Sequence, residues 1–336
     1  MQEHQQWGVE ALWQDLEPLL PGLSIEVLAR VESTNAMLVD RVRRENASPA
    51  HQAGDARTAD GRGDGRADGR ADGRADGRTE GRLDGRSEGR AFSRAGDNRP
   101  YGRRQHDLQP CLLVAEHQTH GRGRQGRAWH STAGASLTFS ISLPLDVADW
   151  SGLSLVVGTA IADALDPDGQ RLQLKWPNDL WLDQRKLGGI LIETVPAGSS
   201  RMAIIGVGLN VSDRARVADS QLSTGFSALQ ELLPGITPPQ ALARLAPALL
   251  KALAGFPKEG FGAWRERFAR RDLLLGQSVT AGMLEGTAAG VSERGELLVH
   301  TPAGTTPVTG GEVSVRLSAG AAPGAAANGD SSASKG

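Results

Sequence analysis

The chain has 336 residues, 39% of them hydrophobic, and 37 basic against 39 acidic side chains give it a formal charge of −2. That length and apolar content suffice for about two domains with cores of their own, while the near-zero charge excludes a global field drawing the chain to nucleic acid or an anionic membrane. The single cysteine excludes a disulfide framework; with no apolar run of about 18 residues and no basic-then-apolar leader, neither a membrane span nor a signal peptide is predicted, and a cytoplasmic protein is expected.

Taken in chain order, Ser33 and Thr34 are good helix N-caps. They predict a short helix over 36–43 with Leu38, Val39 and Val42 facing inward. From Ala59 to Arg90 the chain is a four-residue repeat, ADGR with the variants TEGR, LDGR and SEGR. Each tetrad carries an acid, an arginine and a glycine, so it buries too little apolar area to offset its ordering entropy. A disordered insert over about 44–107 is expected, and its interleaved acids oppose the phosphate attraction that nucleic-acid binding needs. Cys111, in the apolar run 111–115, reads as a small buried residue of a strand over 110–116. The alternation of SLTFSISLPL predicts a half-buried strand over 136–145. Leu153, Val156, Val157, Ala160, Ile161 and Ala164 mark one face of a helix. Strands follow over 172–176, 186–193 and 201–211, with Asp183, Gln184 and Arg185 as a turn. Helices over 238–254 and 260–270 would cover them. Beyond Leu275, short segments broken by Gly286, Gly290, Gly295 and Gly304 predict a small β barrel ending near Val313.

Two stretches carry chemistry. GRGRQGRAW, from Gly121 to Trp129, has three glycines that let backbone approach a ligand, and Arg122, Arg124 and Arg127 offer fixed positive charge to phosphate or carboxylate. It formally fits G-x-G-x-x-G, yet a turn and a strand follow where that fingerprint requires a helix, so a dinucleotide site is not expected. KWPNDL (175–180) and KLGGILIE (186–193) place Lys175 and Lys186 at opposite ends of a strand-turn-strand unit beside a crevice, with Gly188 and Gly189 allowing close packing. Singly, each lysine reads as surface charge, Trp176 as core and Asp179 as a turn former. No P-loop, zinc-ligand spacing or nucleophile elbow occurs, so covalent serine or cysteine catalysis is unsupported.

Together ESTN (32–35), AEHQTHGRGRQGRAW (115–129), KWPNDL with KLGGILIE, and GVGLNV (206–211) resemble the biotin protein ligase family. The resemblance implies an α/β (α+β) fold: a class II aminoacyl-tRNA synthetase-like catalytic domain over 1–271, interrupted by the insert, then a small C-terminal β barrel over 272–318 and a disordered tail over 319–336. It implies ATP and biotin as substrates, Mg²⁺ with the ATP, and a biotinyl-adenylate passed to a lysine of biotin carboxyl carrier protein. A homodimer is compatible with it, and no specific DNA or membrane partner is expected, since the roughly thirty residues before Glu32 are too few for the DNA-binding module of some members.

Carried over residue by residue, the resemblance assigns biotin to Ser33, Thr34, Asn35, Gln118, Gly121, Arg122, Gly123, Arg124, Lys186 and Gly189. It assigns the nucleotide to Arg124, Arg127, Trp129, Lys175, Asn178, Asp179 and Asn210, and catalysis to Lys186, Arg122 and Arg124, with no protein-held metal. The nearest alternative is a lipoate ligase, whose usual arginine pair and triple glycine are missing; an Arg-Gly nucleic-acid binder and a nicotinamide-dependent dehydrogenase are the others.

Overall fold

The computed structural model describes residues 5–47, 101–102, 106–213, 225–309 and 315–317. It opens with α1 (Val9–Leu16), which turns Leu12 and Leu16 into the core, and β1 (Ser24–Val31). Ser33 has extended backbone, and its Oγ accepts from Ala36 N at 3.4 Å, capping α2 (Thr34–Asn46). The helix starts before the expected residue 36 and outlasts residue 43 because its last residue is anchored. Asn46 donates to Pro196 O at 3.3 Å and accepts from Gly198 N at 3.0 Å. At the other margin of the expected insert, Tyr101 bridges Ile25 and sets its ring 5.6 Å from that of Trp13. Packed chain therefore occupies 44–47 and 101–102, positions assigned to the insert; residues 48–100 and the tail from 318 lie outside the described residues.

Next come β2 (Cys111–Gln118), a two-stranded ribbon of β3 (Gly121–Arg122) and β4 (Ala128–Trp129), and β5 (Ser136–Pro144). They are followed by α3 (Leu153–Leu165), β6 (Leu172–Lys175), β7 (Asp179–Leu182), β8 (Arg185–Ala197) and β9 (Ser200–Asn210). Seven strands form one mixed sheet in the order β1-β2-β5-β9-β8-β7-β6, in which only β1 and β2 run parallel. The expected strand-turn-strand unit is thus three strands. KWPNDL is itself a hairpin, with Lys175 paired to Asp179. The second hairpin turns on Asp183 and Gln184, both at positive φ (48° and 61°), as the two central residues of such turns require.

The rest of the chain comprises α4 (Pro238–Glu259), a short α5 (Arg265–Ala269), and β10 (Ser278–Ala281), β11 (Leu284–Val291), β12 (Leu297–Thr301), β13 (Gly304–Val308) and β14 (Val315–Leu317). Thr237 N donates to Gln240 Oε1 at 3.0 Å, starting α4, whose Leu242, Leu245, Leu249, Leu253 and Phe256 form its buried stripe. The last five strands make an antiparallel sheet ordered β13-β12-β11-β10-β14. It docks on the first unit through Trp176 Nε1, which donates to Gly295 O at 2.9 Å, and Arg265 Nε, which donates to Val291 O at 3.1 Å.

One face of the large sheet, with Phe139, Ile141, Val207 and Leu209, packs on α1, α3 and α4 as the main core. The other face carries α2 over Cys111, Leu113 and Ile204. Among the described residues no helix is long and apolar enough to cross a membrane.

Candidate active site

The sheet face that carries α2 has a floor whose centre is paved with glycine. Strand register aligns Lys175, Asp179, Gly189, Gly208, Thr138 and Ala115 in one row across six strands. Gly206 lies two residues from Gly208 on β9 and hence on the same face, because side chains alternate along a strand. Neither position tolerates a Cβ. At Gly206 it would strike the Asn35 carboxamide, and at Gly208 the indole of Trp129. The glycines of GVGLN therefore seat one side chain from α2 and one from the ribbon. Trp129 Nε1 is shielded from solvent and has no hydrogen-bond partner.

Beside this floor lies a buried cluster of neutral polar groups. Thr34 N and Thr34 Oγ1 both lie near Gln118 Oε1, at 2.7 and 3.1 Å. Ser140 Oγ sits 2.6 Å from Thr34 Oγ1 and also 2.6 Å from Asn35 Oδ1. Gln118 N donates to Ser131 Oγ at 2.7 Å, fixing the end of β2. Ser33, Thr34, Asn35 and Gln118 are all buried, at 4, 3, 3 and 8% exposure, so this polar cluster persists only because its members satisfy one another. Asn35 donates from Nδ2 to Leu191 O and Glu193 Oε2, at 3.2 and 2.9 Å.

The charged groups rim the same floor. Arg122 pairs with Glu193 at 3.0 Å. Arg124 donates to Asn178 Oδ1 at 3.2 Å, and Asn178 in turn donates from Nδ2 to Ile190 O at 2.7 Å, so the ribbon is held to the KWPND hairpin. Burial, opposed by the charge of Asp179 and reinforced by that of Arg127, lowers the Arg124 pKa from its usual value. Lys186 Nζ meets Asp179 Oδ1 at 2.9 Å across β7 and β8. A Cβ at Gly189 would lie 3.3 Å from the same Asp179 oxygen, so the glycine leaves the Lys186–Asp179 pair accessible from the floor. Lys175 lies over the Trp181 ring, 4.9 Å from its centroid.

The fold thus brings together Ser33, Thr34, Asn35, Gln118, Gly121, Arg122, Gly123 and Arg124 with Asn178, Asp179, Lys186 and Gly189. The other four expected residues, Lys175 among them, lie around this cluster. Arg127, exposed, donates to Gln125 Oε1 at 3.2 Å. Asn210 is buried at the end of β9, its Nδ2 donating to Ser227 O at 3.3 Å. Trp129 packs its indole on Gly208. Sequence reasoning did not single out Ser140, Ser131, Gly206, Gly208 or Glu193. The period-two glycines of GVGLN and the acid closing KLGGILIE were the available signals.

Among the described residues no group of three or more His, Cys, Asp or Glu side chains is arranged to hold a metal ion. Among the residues expected on the nucleotide side the one carboxylate is Asp179, paired with Lys186. That donor set suits a Mg²⁺ ion carried by phosphate oxygens better than one caged by protein.

Residues 104–210 match the Biotin/lipoate A/B protein ligase family and residues 274–316 the Biotin protein ligase C terminal domain. The chain is 36% identical over 211 residues to the bifunctional ligase/repressor BirA of Escherichia coli, an alignment covering 60% of this chain and 65% of the relative, just under two thirds of its length. It is 31% identical over 212 residues to the biotin--[acetyl-CoA-carboxylase] ligase of Paracoccus denitrificans, covering 60% of this chain and 88% of that one. A solved biotin protein ligase from Aquifex aeolicus, in complex with biotin and ATP, superposes with a TM-score of 0.54 at 30% identity, over 62% of this chain and 89% of that one.

Proposed function

The chain belongs to the biotin protein ligase family, and from that premise we propose that it activates biotin with ATP as biotinyl-5′-AMP and transfers the biotinyl group to a lysine of biotin carboxyl carrier protein. The observation that carries this reading is the pairing of a buried cluster of neutral polar groups with a rim of cations. Biotin has the same two halves, a neutral ureido head and a carboxylate.

In this reading Ser33, Thr34, Asn35 and Gln118, with the backbone of Gly121 to Gly123, take the head. Lys186, Arg122 and Arg124 take the carboxylate and the α-phosphate. A carboxylate oxygen attacks the α-phosphorus, the α–β bridging bond breaks and pyrophosphate leaves. No proton moves in this step, so the chain's task is to neutralise charge and align the reactants. Mg²⁺ carried by the triphosphate would supply further neutralisation, and Asp179 is the carboxylate that would help to hold it. Lys175, Asn178, Arg127, Trp129 and Asn210 line the nucleotide side, where the unpartnered Trp129 Nε1 offers a hydrogen bond to a ligand acceptor. In the second step the acceptor amine attacks the acyl carbon and AMP departs. The mixed anhydride is open to hydrolysis, which gives the glycine-bearing ribbon its purpose as a cover.

We assign the large sheet and its helices to a class II aminoacyl-tRNA synthetase-like catalytic domain over 1–271, interrupted within 44–107, and the five-stranded sheet to a small barrel over 272–318. ATP consumption suits a cytoplasmic enzyme. The test is exchange of labelled pyrophosphate into ATP with biotin or with lipoate as the acid. Biotin-dependent exchange is expected; exchange with lipoate alone, or with neither, overturns the assignment.

A further inference from the structure

Glu193, the acid that closes KLGGILIE, touches both halves of the site. Its Oε2 accepts from Asn35 Nδ2 at 2.9 Å in the buried pocket, and its two oxygens accept from Arg122 on the exposed ribbon at 3.1 and 3.0 Å. As an ion pair with side chains 45% and 30% exposed, the Arg122 contact is of the kind that contributes little by itself. The Asn35 contact differs, because Asn35 is 3% exposed.

Asn35 Nδ2 faces two groups that only accept, the Glu193 carboxylate and Leu191 O at 3.2 Å. Flipping the carboxamide would set its oxygen against both. The oxygen is therefore held toward Ser140 Oγ, 2.6 Å away, and because a carboxamide oxygen only accepts, the single Ser140 proton is committed to it. Ser140 then presents lone pairs to Thr34 Oγ1, also at 2.6 Å. Thr34 N donates to Gln118 Oε1 at 2.7 Å, which turns the Gln118 NH₂ away from Thr34. That NH₂ faces Gly121, where a Cβ would lie 3.0 Å from Nε2, and the chain then returns through Arg122 to the carboxylate where it began.

We propose that Glu193 is a positioning residue for recognition of the acid substrate's head group: through Asn35 it fixes the donor and acceptor polarity of the pocket, and through Arg122 it ties the ribbon to that pocket. The inference rests on the biotin ligase reading. It assigns no contact between Glu193 and substrate. Glu193→Gln keeps the shape of the side chain but replaces one acceptor oxygen with a donor, which must face either Asn35 Nδ2 or Arg122, so one of the two ties is lost.

The experiment is biotin-dependent pyrophosphate exchange with the full chain, measured first on the parent. No exchange there overturns the functional reading and this inference with it. With an active parent, Glu193→Gln is expected to raise KM for biotin about tenfold, equivalent to about 1.4 kcal/mol. kcat should stay within about twofold, KM for ATP unchanged and Tm within about 2 °C; a residue that only stabilised the fold would instead move Tm and leave KM alone. In an Asn35→Ala background the same substitution should change KM for biotin less than about twofold, because the partner through which it acts is gone. If Glu193→Gln fails to fold, Glu193→Asp, which keeps the charge but not the reach, is read in the same assay with the same expectation. An unchanged KM for biotin in an active parent background, or an undiminished effect in the Asn35→Ala background, overturns the inference alone.

Discussion

Asp272 offers a test in which burial alone sets the outcome. It follows Arg271, which is 5% exposed and gripped by Asp163, and it bridges Leu174 of β6 at the junction with the C-terminal sheet. Its Oδ1 accepts from Leu274 N at 2.9 Å, but Oδ2 is buried with no partner. Burial, only partly opposed by the Leu274 and Leu275 amides, raises its pKa from the usual 3.8 to about 6. Between those values the native chain holds a proton that the unfolded chain has released. Stability from this group is therefore fully present below pH 3.8 and falls as pH rises to about 6. At about 1.4 kcal/mol per pKa unit the loss totals roughly 3 kcal/mol. Asp272→Asn cannot ionise and keeps the acceptor for Leu274, although its NH₂ inherits the unpartnered Oδ2 position at a cost of about 1 kcal/mol or more. Urea unfolding of parent and variant from pH 4 to 8 reads the difference directly, and the acids common to both cancel. The variant should gain on the parent steadily between pH 4 and 6, hold a constant advantage above pH 6.5, and be more stable by about 1–2 kcal/mol at pH 7.5. A difference flat across pH 4–7, or a variant less stable at pH 7.5, refutes the reasoning.

Other consequences concern the site. Lys186→Ala should reduce pyrophosphate exchange at least about 100-fold through lost transition-state charge stabilisation, with Tm within about 3 °C, since a partly exposed ion pair contributes little to stability; full activity would remove Lys186 from the reaction. Arg124→Gly removes the bond to Asn178, and a charge-assisted hydrogen bond of roughly 1.5 kcal/mol or more corresponds to about tenfold faster escape of adenylate. Single-turnover chase and biotin incorporated into albumin measure it, and unchanged release with unlabelled albumin would show that Arg124 does not hold the ribbon closed. Gly208→Ala puts a Cβ into the Trp129 indole, and overpacking of this kind costs about 1–3 kcal/mol. Denaturant unfolding should show that loss in the parent background and not in Trp129→Ala; an equal loss in both would mean that Trp129 is not what the glycine accommodates.

What was legible in the sequence depended on how local the cause was. The Ser33 cap, the strand at Ser136–Pro144 and the Asp183–Gln184 turn follow from neighbouring residues and form where expected, but the strand is buried on both faces rather than half-buried, because helices cover both sides of the sheet there. β1 was missed because its parallel partner β2 enters more than eighty residues later, across the repeat. α1 was missed because, although its apolar residues are helically spaced, it runs for only eight residues, and Trp13 meets Tyr101 only after the repeat has passed. The repeat also hid the end of α2, since Arg43 to Asn46 resemble it in composition while Asn46 is bound to Pro196 and Gly198. Within the site the motifs marked which residues matter but not their contacts. That Gly206 and Gly208 seat Asn35 and Trp129, and that Glu193 joins Asn35 to Arg122, depends on a register set by β5, β8 and β9 together.

The central claim is that this chain biotinylates a carrier lysine. Its most direct test incubates the full chain with ATP, Mg²⁺, biotin and an unmodified biotin carboxyl carrier domain, followed by intact-mass and peptide analysis of the carrier. The account predicts one biotinyl group on one lysine, absent when ATP is omitted, when lipoate replaces biotin, or when that lysine is changed to arginine. An unmodified carrier, or one that accepts lipoate and not biotin, would contradict it.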